Sequence, residues 1–202
     1  MSLPGRILSA VYVSEGDGAR PSAVEVANTI HGDRDSIDGI LLTSEDGDAG
    51  AMPGIHSLIR DIRPPHMPVY LVTAGRDPRT VEDLVGAGYA DCVAVRLDGR
   101  PSKEQLESMD AVVSNRAKLF VEVVLDRSRI DAEGVLSVAD AVRGYEEFVL
   151  RVPAPPAPAF GKRELNALVK ALRPRARNVR VLDVGRRRDP GPLPGWGPCC
   201  RG

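Results

Sequence analysis

Short runs of Val, Ile and Leu alternate along the chain with amphipathic stretches in which apolar residues recur every three or four positions. The runs predict strands over 6–13, 39–43, 68–73, 92–97, 119–125, 147–152 and 178–184. They are brief, β-branched and apolar at nearly every position, as strands covered on both faces are. The amphipathic stretches predict helices over 22–30, 53–62, 78–87, 102–116, 132–143 and 162–172. In the last, Leu165, Leu168, Val169 and Leu172 form one apolar face. Pro53 and Pro78 suit a first helical turn, Ser102 suits an N-cap, and Glu104 and Glu164 sit near positive helix ends.

Strict β–α alternation with connections of a few residues predicts a parallel α/β sheet with right-handed crossovers. Alternation alone leaves open whether that sheet curls into a partial barrel or stays flat and doubly wound. The Pro-rich segment 153–158 reads as a stiff connector too short to separate domains. The Pro/Gly-rich stretch 185–202 predicts a mobile tail. The expected organisation is one domain over 1–184 followed by that tail.

Composition narrows the function classes. The formal net charge is −1, from 27 basic and 28 acidic side chains, which points to neither nucleic acid nor a membrane surface as partner. No apolar run approaches the length of a membrane span and no secretory signal is visible, so the expected location is the cytoplasm. The three cysteines, Cys92, Cys199 and Cys200, make no disulfide framework. Cys92 reads as a small buried hydrophobe at a strand start. Cys199 and Cys200 are adjacent thiols that could share a soft metal, or accidental tail chemistry. His31, His56 and His66 show no ligand spacing, and the Walker, dinucleotide and nucleophile-elbow signatures are absent.

From Ile37 to Val152 the apolar framework resembles the radical S-adenosylmethionine activases of pyruvate formate-lyase and anaerobic ribonucleotide reductase. Thr43-Ser-Glu-Asp-Gly47 aligns with that family's Gly-Gly-Glu-Pro strand end, Thr73-Ala-Gly75 with its Thr-Asn-Gly, and Arg96-Leu-Asp98 with its Asp-Ile-Lys. The resemblance implies a partial TIM-type barrel of six to seven strands. It also implies a [4Fe–4S] cluster on Cys-x3-Cys-x2-Cys and bound S-adenosylmethionine. Here the cysteine motif is absent, and the short turn Ser14-Glu-Gly-Asp-Gly18 stands where the cluster loop would be. Ser44 and Glu45 replace the close-approach glycines, and the family's strand-six arginine falls on Phe148 or Val149 while Arg151 is shifted along. No cofactor is therefore expected.

Ligands of parallel β/α folds lie beyond the carboxyl ends of the strands. The candidate pocket there comprises Asp46, Arg96, Asp98, Glu122 and Arg151. Asp46 is either a ligand contact or a solvated acid in a very acidic turn. Arg96 and Asp98 could form an exchanged acid–base pair at a loop edge. Glu122, inside the apolar run 120–124, must face a polar lumen or pair with a base. Two functions follow. One is a radical-SAM-like protein without its cluster, acting through a partner protein or a small anionic ligand. The other is an enzyme using strand-end acids and bases on a small anionic metabolite.

Overall fold

A computed structural model describes residues 2–3, 6–12, 22–44, 48–143, 147–153 and 160–183. A two-residue strand, β1 (Ser2–Leu3), pairs antiparallel with β2 (Arg6–Tyr12). From β2 onward the strands run parallel in chain order: β3 (Gly39–Thr43), β4 (Val69–Thr73), β5 (Cys92–Leu97), β6 (Lys118–Val124), β7 (Glu147–Val152) and β8 (Asn178–Asp183). Each pairs only with its sequence neighbours, and among the described residues no ladder joins β8 to β2. The sheet is thus open, and the chain forms the expected partial TIM-like barrel.

Sequential order has a direct consequence. Right-handed crossovers between successive neighbours deliver every helix to the same side. The helices are α1 (Ala23–Gly32), α2 (Ile55–Ile62), α3 (Pro78–Gly86), α4 (Lys103–Ser114), α5 (Ala132–Ala141) and α6 (Lys162–Leu172). Each contributes to one large core, with Ile30, Ile59, Leu84, Val112, Val138 and Leu172 buried against Ile40, Leu71, Val95, Val121 and Leu150. A second cluster holds Leu41, Tyr70, Val72, Cys92, Phe120 and Val149, drawn from strands alone. This inner face, with no helix in its cluster, rules out the doubly wound arrangement that alternation had left open.

Local signals fix most boundaries. Ser22 and Ser102 cap α1 and α4 with reciprocal boxes through Glu25 and Gln105. Pro78 opens α3 behind the Asp77 cap. The start of α2 differs from expectation, because a short 3₁₀ turn (Ala49–Ala51) precedes it and Gly54, at φ 77°, serves as its N-cap. Pro53 therefore lies outside that helix. At the amino ends of the strands, Asp91 accepts from Arg63 Nη2 at 2.9 Å and from the Val69 N–H at 2.8 Å, tying α2, β4 and β5 together. Cys92 is buried at the first position of β5, as its sequence setting predicts.

Asp77 accepts from the Arg79 and Thr80 N–H groups at 3.2 and 3.3 Å and from the Thr80 hydroxyl at 2.7 Å. The Thr80 hydroxyl, followed by the Thr80 N–H, holds its carboxyl below the ordinary value of 3.8. A carboxyl depressed on folding stabilises the fold above its unfolded-state value, and that contribution is lost as pH falls through the folded-state value. Asp77→Ala is therefore expected to lower the urea midpoint at neutral pH, with the gap from wild type closing below about pH 4. A gap that stays constant across that range would assign the effect to helix propensity alone.

Candidate functional site

Alternation along the strands decides what the inner face carries. Successive side chains point to opposite sides, so Cys92, Ala94 and Arg96 share the inner face of β5. Lys118, Phe120 and Glu122 do so on β6, and Glu147, Val149 and Arg151 on β7. The interleaved residues Val93, Val95, Val121, Val123, Phe148 and Leu150 enter the helix-side core.

Register then pairs the charges. Arg96 stands directly opposite Glu122. Its Nε donates to Glu122 Oε1 at 2.7 Å, and Nη1 of Arg151, one strand further, donates to the same oxygen at 3.1 Å. The Glu122 side chain is 8% exposed, against 15% for Arg96 and 26% for Arg151. A buried acid is thus held between two guanidinium groups of adjoining strands. Arg96 and Arg151 are each penultimate in their strands, which puts the trio at the carboxyl ends.

The other candidates part company. Asp98 lies past the end of β5 and pairs with Arg129 at 3.1 Å, both exposed. The expected Arg96–Asp98 pair does not form: Asp98 has left the strand, and Glu122 on β6 is the nearer acid for Arg96. Asp46 lies outside the described residues, as do Ser14–Gly18, Glu45, Cys199 and Cys200.

A second charged group escaped sequence reasoning. Glu147 Oε1 accepts from Asn178 Nδ2 at 3.3 Å, with Lys118 Nζ 4.0 Å away. Arg180 Nη2 lies 3.0 Å from Glu147 Oε2, while Arg180 Nη1 is buried without a hydrogen-bond partner. Lys118 also sits over the Phe120 ring, 5.1 Å from its centroid. Part of the signal was available: Lys118 and Glu122 on β6, and Glu147 and Arg151 on β7, stand four residues apart and so share one face.

The turn after β4 is held firmly. Asp48 Oδ1 accepts from the Thr73 hydroxyl at 2.6 Å and from the Ala74 N–H at 3.0 Å. Ser108 donates to the Gly75 carbonyl and Gln105 to that of Ala74, each at 2.8 Å. Gly75 adopts φ 67°, and a Cβ there would stand 3.0 Å from Val95 Cγ1, so glycine serves both the turn and the close approach. On the helix side of the carboxyl ends, a cleft of about 420 Å³ lies between Arg127, Ile130, Asp131, Glu133, Phe160 and Glu164. Its arginine is engaged with Glu164 and with the Phe160 ring.

No family model and no curated protein matches the sequence. Among solved structures, the fold is similar to a radical SAM methyltransferase from Sphaerobacter thermophilus, at 15% identity and a TM-score of 0.63, over 79% of this chain and 56% of that one. It is also similar to SuiB of Streptococcus suis, a structure bound to S-adenosylmethionine, at 14% identity and a TM-score of 0.59, over 86% and 46%. The chain spans about half the length of these neighbours. The likeness establishes a radical-SAM-type fold.

Replacing Glu122 would strand two partly buried cations. Breaking a buried charge cluster at one member costs about 3–5 kcal/mol, whereas replacing the whole cluster with apolar residues is often neutral. Glu122→Ala is expected to cost about 3 kcal/mol in urea unfolding, and the triple change Arg96→Met, Glu122→Leu, Arg151→Met to cost far less. A loss under about 1 kcal/mol for Glu122→Ala would mean that both arginines turn to solvent at little cost.

Proposed function

We propose that this chain is a radical-SAM-like protein, akin to the pyruvate formate-lyase and anaerobic ribonucleotide reductase activases, that has lost its cluster site and works by binding rather than by catalysis. The observation that carries the reading is the disposition of its thiols. Three thiolates on one loop are needed to hold a [4Fe–4S] cluster with an open iron, and Cys-x3-Cys-x2-Cys occurs nowhere in the 202 residues. Cys92 is buried at the amino end of β5, beside Tyr70, away from the carboxyl ends where barrel ligands sit. Cys199 and Cys200 are adjacent, and neither spacing nor number suits the cluster. The donor set does not fit the group.

The acid–base reading has weaker support. Glu122 Oε1 is already occupied by two N–H donors, and Asp98 is paired with Arg129, so neither is a free base poised for a substrate proton. What remains is a cation-rich inner face on a rigid β/α frame, suited to holding a small anionic ligand or presenting a surface to a partner protein.

Anaerobic reconstitution with iron and sulfide is expected to leave the protein without the broad visible absorption of a cluster. A stoichiometric cluster on the 202-residue chain would overturn the reading.

Binding of S-adenosylmethionine should be lost as well. Without the iron, the metal chelation of the methionine's amino and carboxylate groups is gone, and Ser44 stands where the resemblance has a glycine. Titration calorimetry is expected to give no heat up to about 1 mM, where about 4 kcal/mol of binding free energy would suffice for detection. A micromolar dissociation constant would return the chain to the cofactor-dependent class.

A further inference from the structure

We infer that Arg96 and Arg151, held by Glu122, form a two-pronged receptor for a small oxyanion carrying a carboxylate or phosphate group. This deepens the reading of the inner face as a binding surface and rests on it. A guanidinium has five N–H bonds in a rigid fork. Among the described residues Arg96 donates through Nε alone and Arg151 through Nη1 alone, both to Glu122 Oε1. The two terminal nitrogens of Arg96 and the Nε and Nη2 of Arg151 are left over. They are not buried orphans: of the arginine atoms on this face only Arg180 Nη1 is fully enclosed without a partner. With 15% and 26% of their side chains exposed, Arg96 and Arg151 keep these donors within reach of a solute.

Charge and position agree with the donor count. Glu122 neutralises one of its two arginines, so the trio carries a net positive charge. On the neighbouring strands Lys118 and Arg180 both approach Glu147, so these ion pairs bring four cations and two carboxylates together on the inner face among the described residues. Glu122 anchors both guanidinium groups on one oxygen, which lowers the side-chain entropy that an anion would otherwise have to offset. Two pre-positioned forks favour bidentate contacts to planar carboxylate or tetrahedral phosphate oxygens, and chloride cannot use that geometry. The trio also lies at the carboxyl ends of β5 to β7, where ligands of parallel β/α folds bind.

The test is titration calorimetry of the 202-residue chain at fixed ionic strength, with inorganic phosphate in one arm, citrate in another and chloride as the reference. Binding of either oxyanion above the chloride background is expected, and the stronger arm identifies the head group as phosphate or carboxylate. Arg151→Ala, which leaves the Arg96–Glu122 pair in place, should weaken it by about tenfold. Arg173→Ala, at an exposed position by the C-terminus of α6, should leave it unchanged. If Arg151→Ala does not fold, Glu122→Gln decides the matter: it keeps an acceptor between the arginines but removes the competing charge, so the oxyanion should bind more tightly. No binding of either oxyanion up to about 10 mM, wild-type affinity in Arg151→Ala, or unchanged affinity in Glu122→Gln would each overturn the assignment. These outcomes are independent of cluster assembly: a reconstituted cluster would sink the non-catalytic reading without altering the anion result, and the reverse holds too.

Discussion

A parallel sheet wound in one direction has two unequal faces, and that inequality governs this molecule. Every right-handed crossover returns its helix to the same side, so one face gains a continuous apolar cover and the other gains no helix. Charged groups on the inner face must then find partners within the sheet. Adjacent strands lie about 4.8 Å apart, close enough for a side chain to meet its cross-strand neighbour directly. Glu122 meets Arg96 in this way, and Arg151 reaches in from the diagonal position on β7. The arrangement is a lateral one, strand to strand, with no helix involved.

The two ends of the strands are built differently. At the amino ends Asp91 joins Arg63, the residue that closes α2, to a backbone N–H of β4, a closed contact that stitches consecutive elements together. At the carboxyl ends the Asp48–Thr73 bond and the Ser108 and Gln105 bonds fix the turn after β4, leaving the inner-face arginines with unused donors. Stability at one end and available hydrogen-bonding capacity at the other is the usual division of labour in β/α barrels. Here it follows from particular residues.

Much of this was legible in the sequence, and the reason is periodicity. Apolar runs marked β2 to β8 to within about a residue, though not the two-residue β1, and Ser102 and Pro78 marked helix starts by local chemistry. What stayed hidden depends on register. That Arg96 pairs with Glu122 and not with Asp98 is set by which residues of β5 and β6 stand opposite, a fact that no single strand encodes. The α2 start was missed because Pro53 is compatible with a first helical turn and equally with the turn before one; Gly54 in the left-handed region decides it. The Glu147 group was overlooked because its members lie on three strands and each looks, alone, like an isolated charge at a strand end.

The charges also constrain the sheet that they occupy. Shifting any one strand by a single residue would send its inner-face side chains into the helix-side core. For an apolar strand the cost of such a slip is modest, since Val exchanges with Val or Leu. For β6 it would push Glu122 among Val95, Leu150 and the helix residues, with no cation in reach, while leaving Arg96 and Arg151 facing a valine. Burial of an unpaired carboxylate is far more costly than misplaced methyl groups. The Arg96–Glu122–Arg151 trio thus discriminates among registers that the apolar pattern alone would tolerate. Its net contribution to stability is small once desolvation is counted; its stronger physical role is to leave β5, β6 and β7 a single way to align.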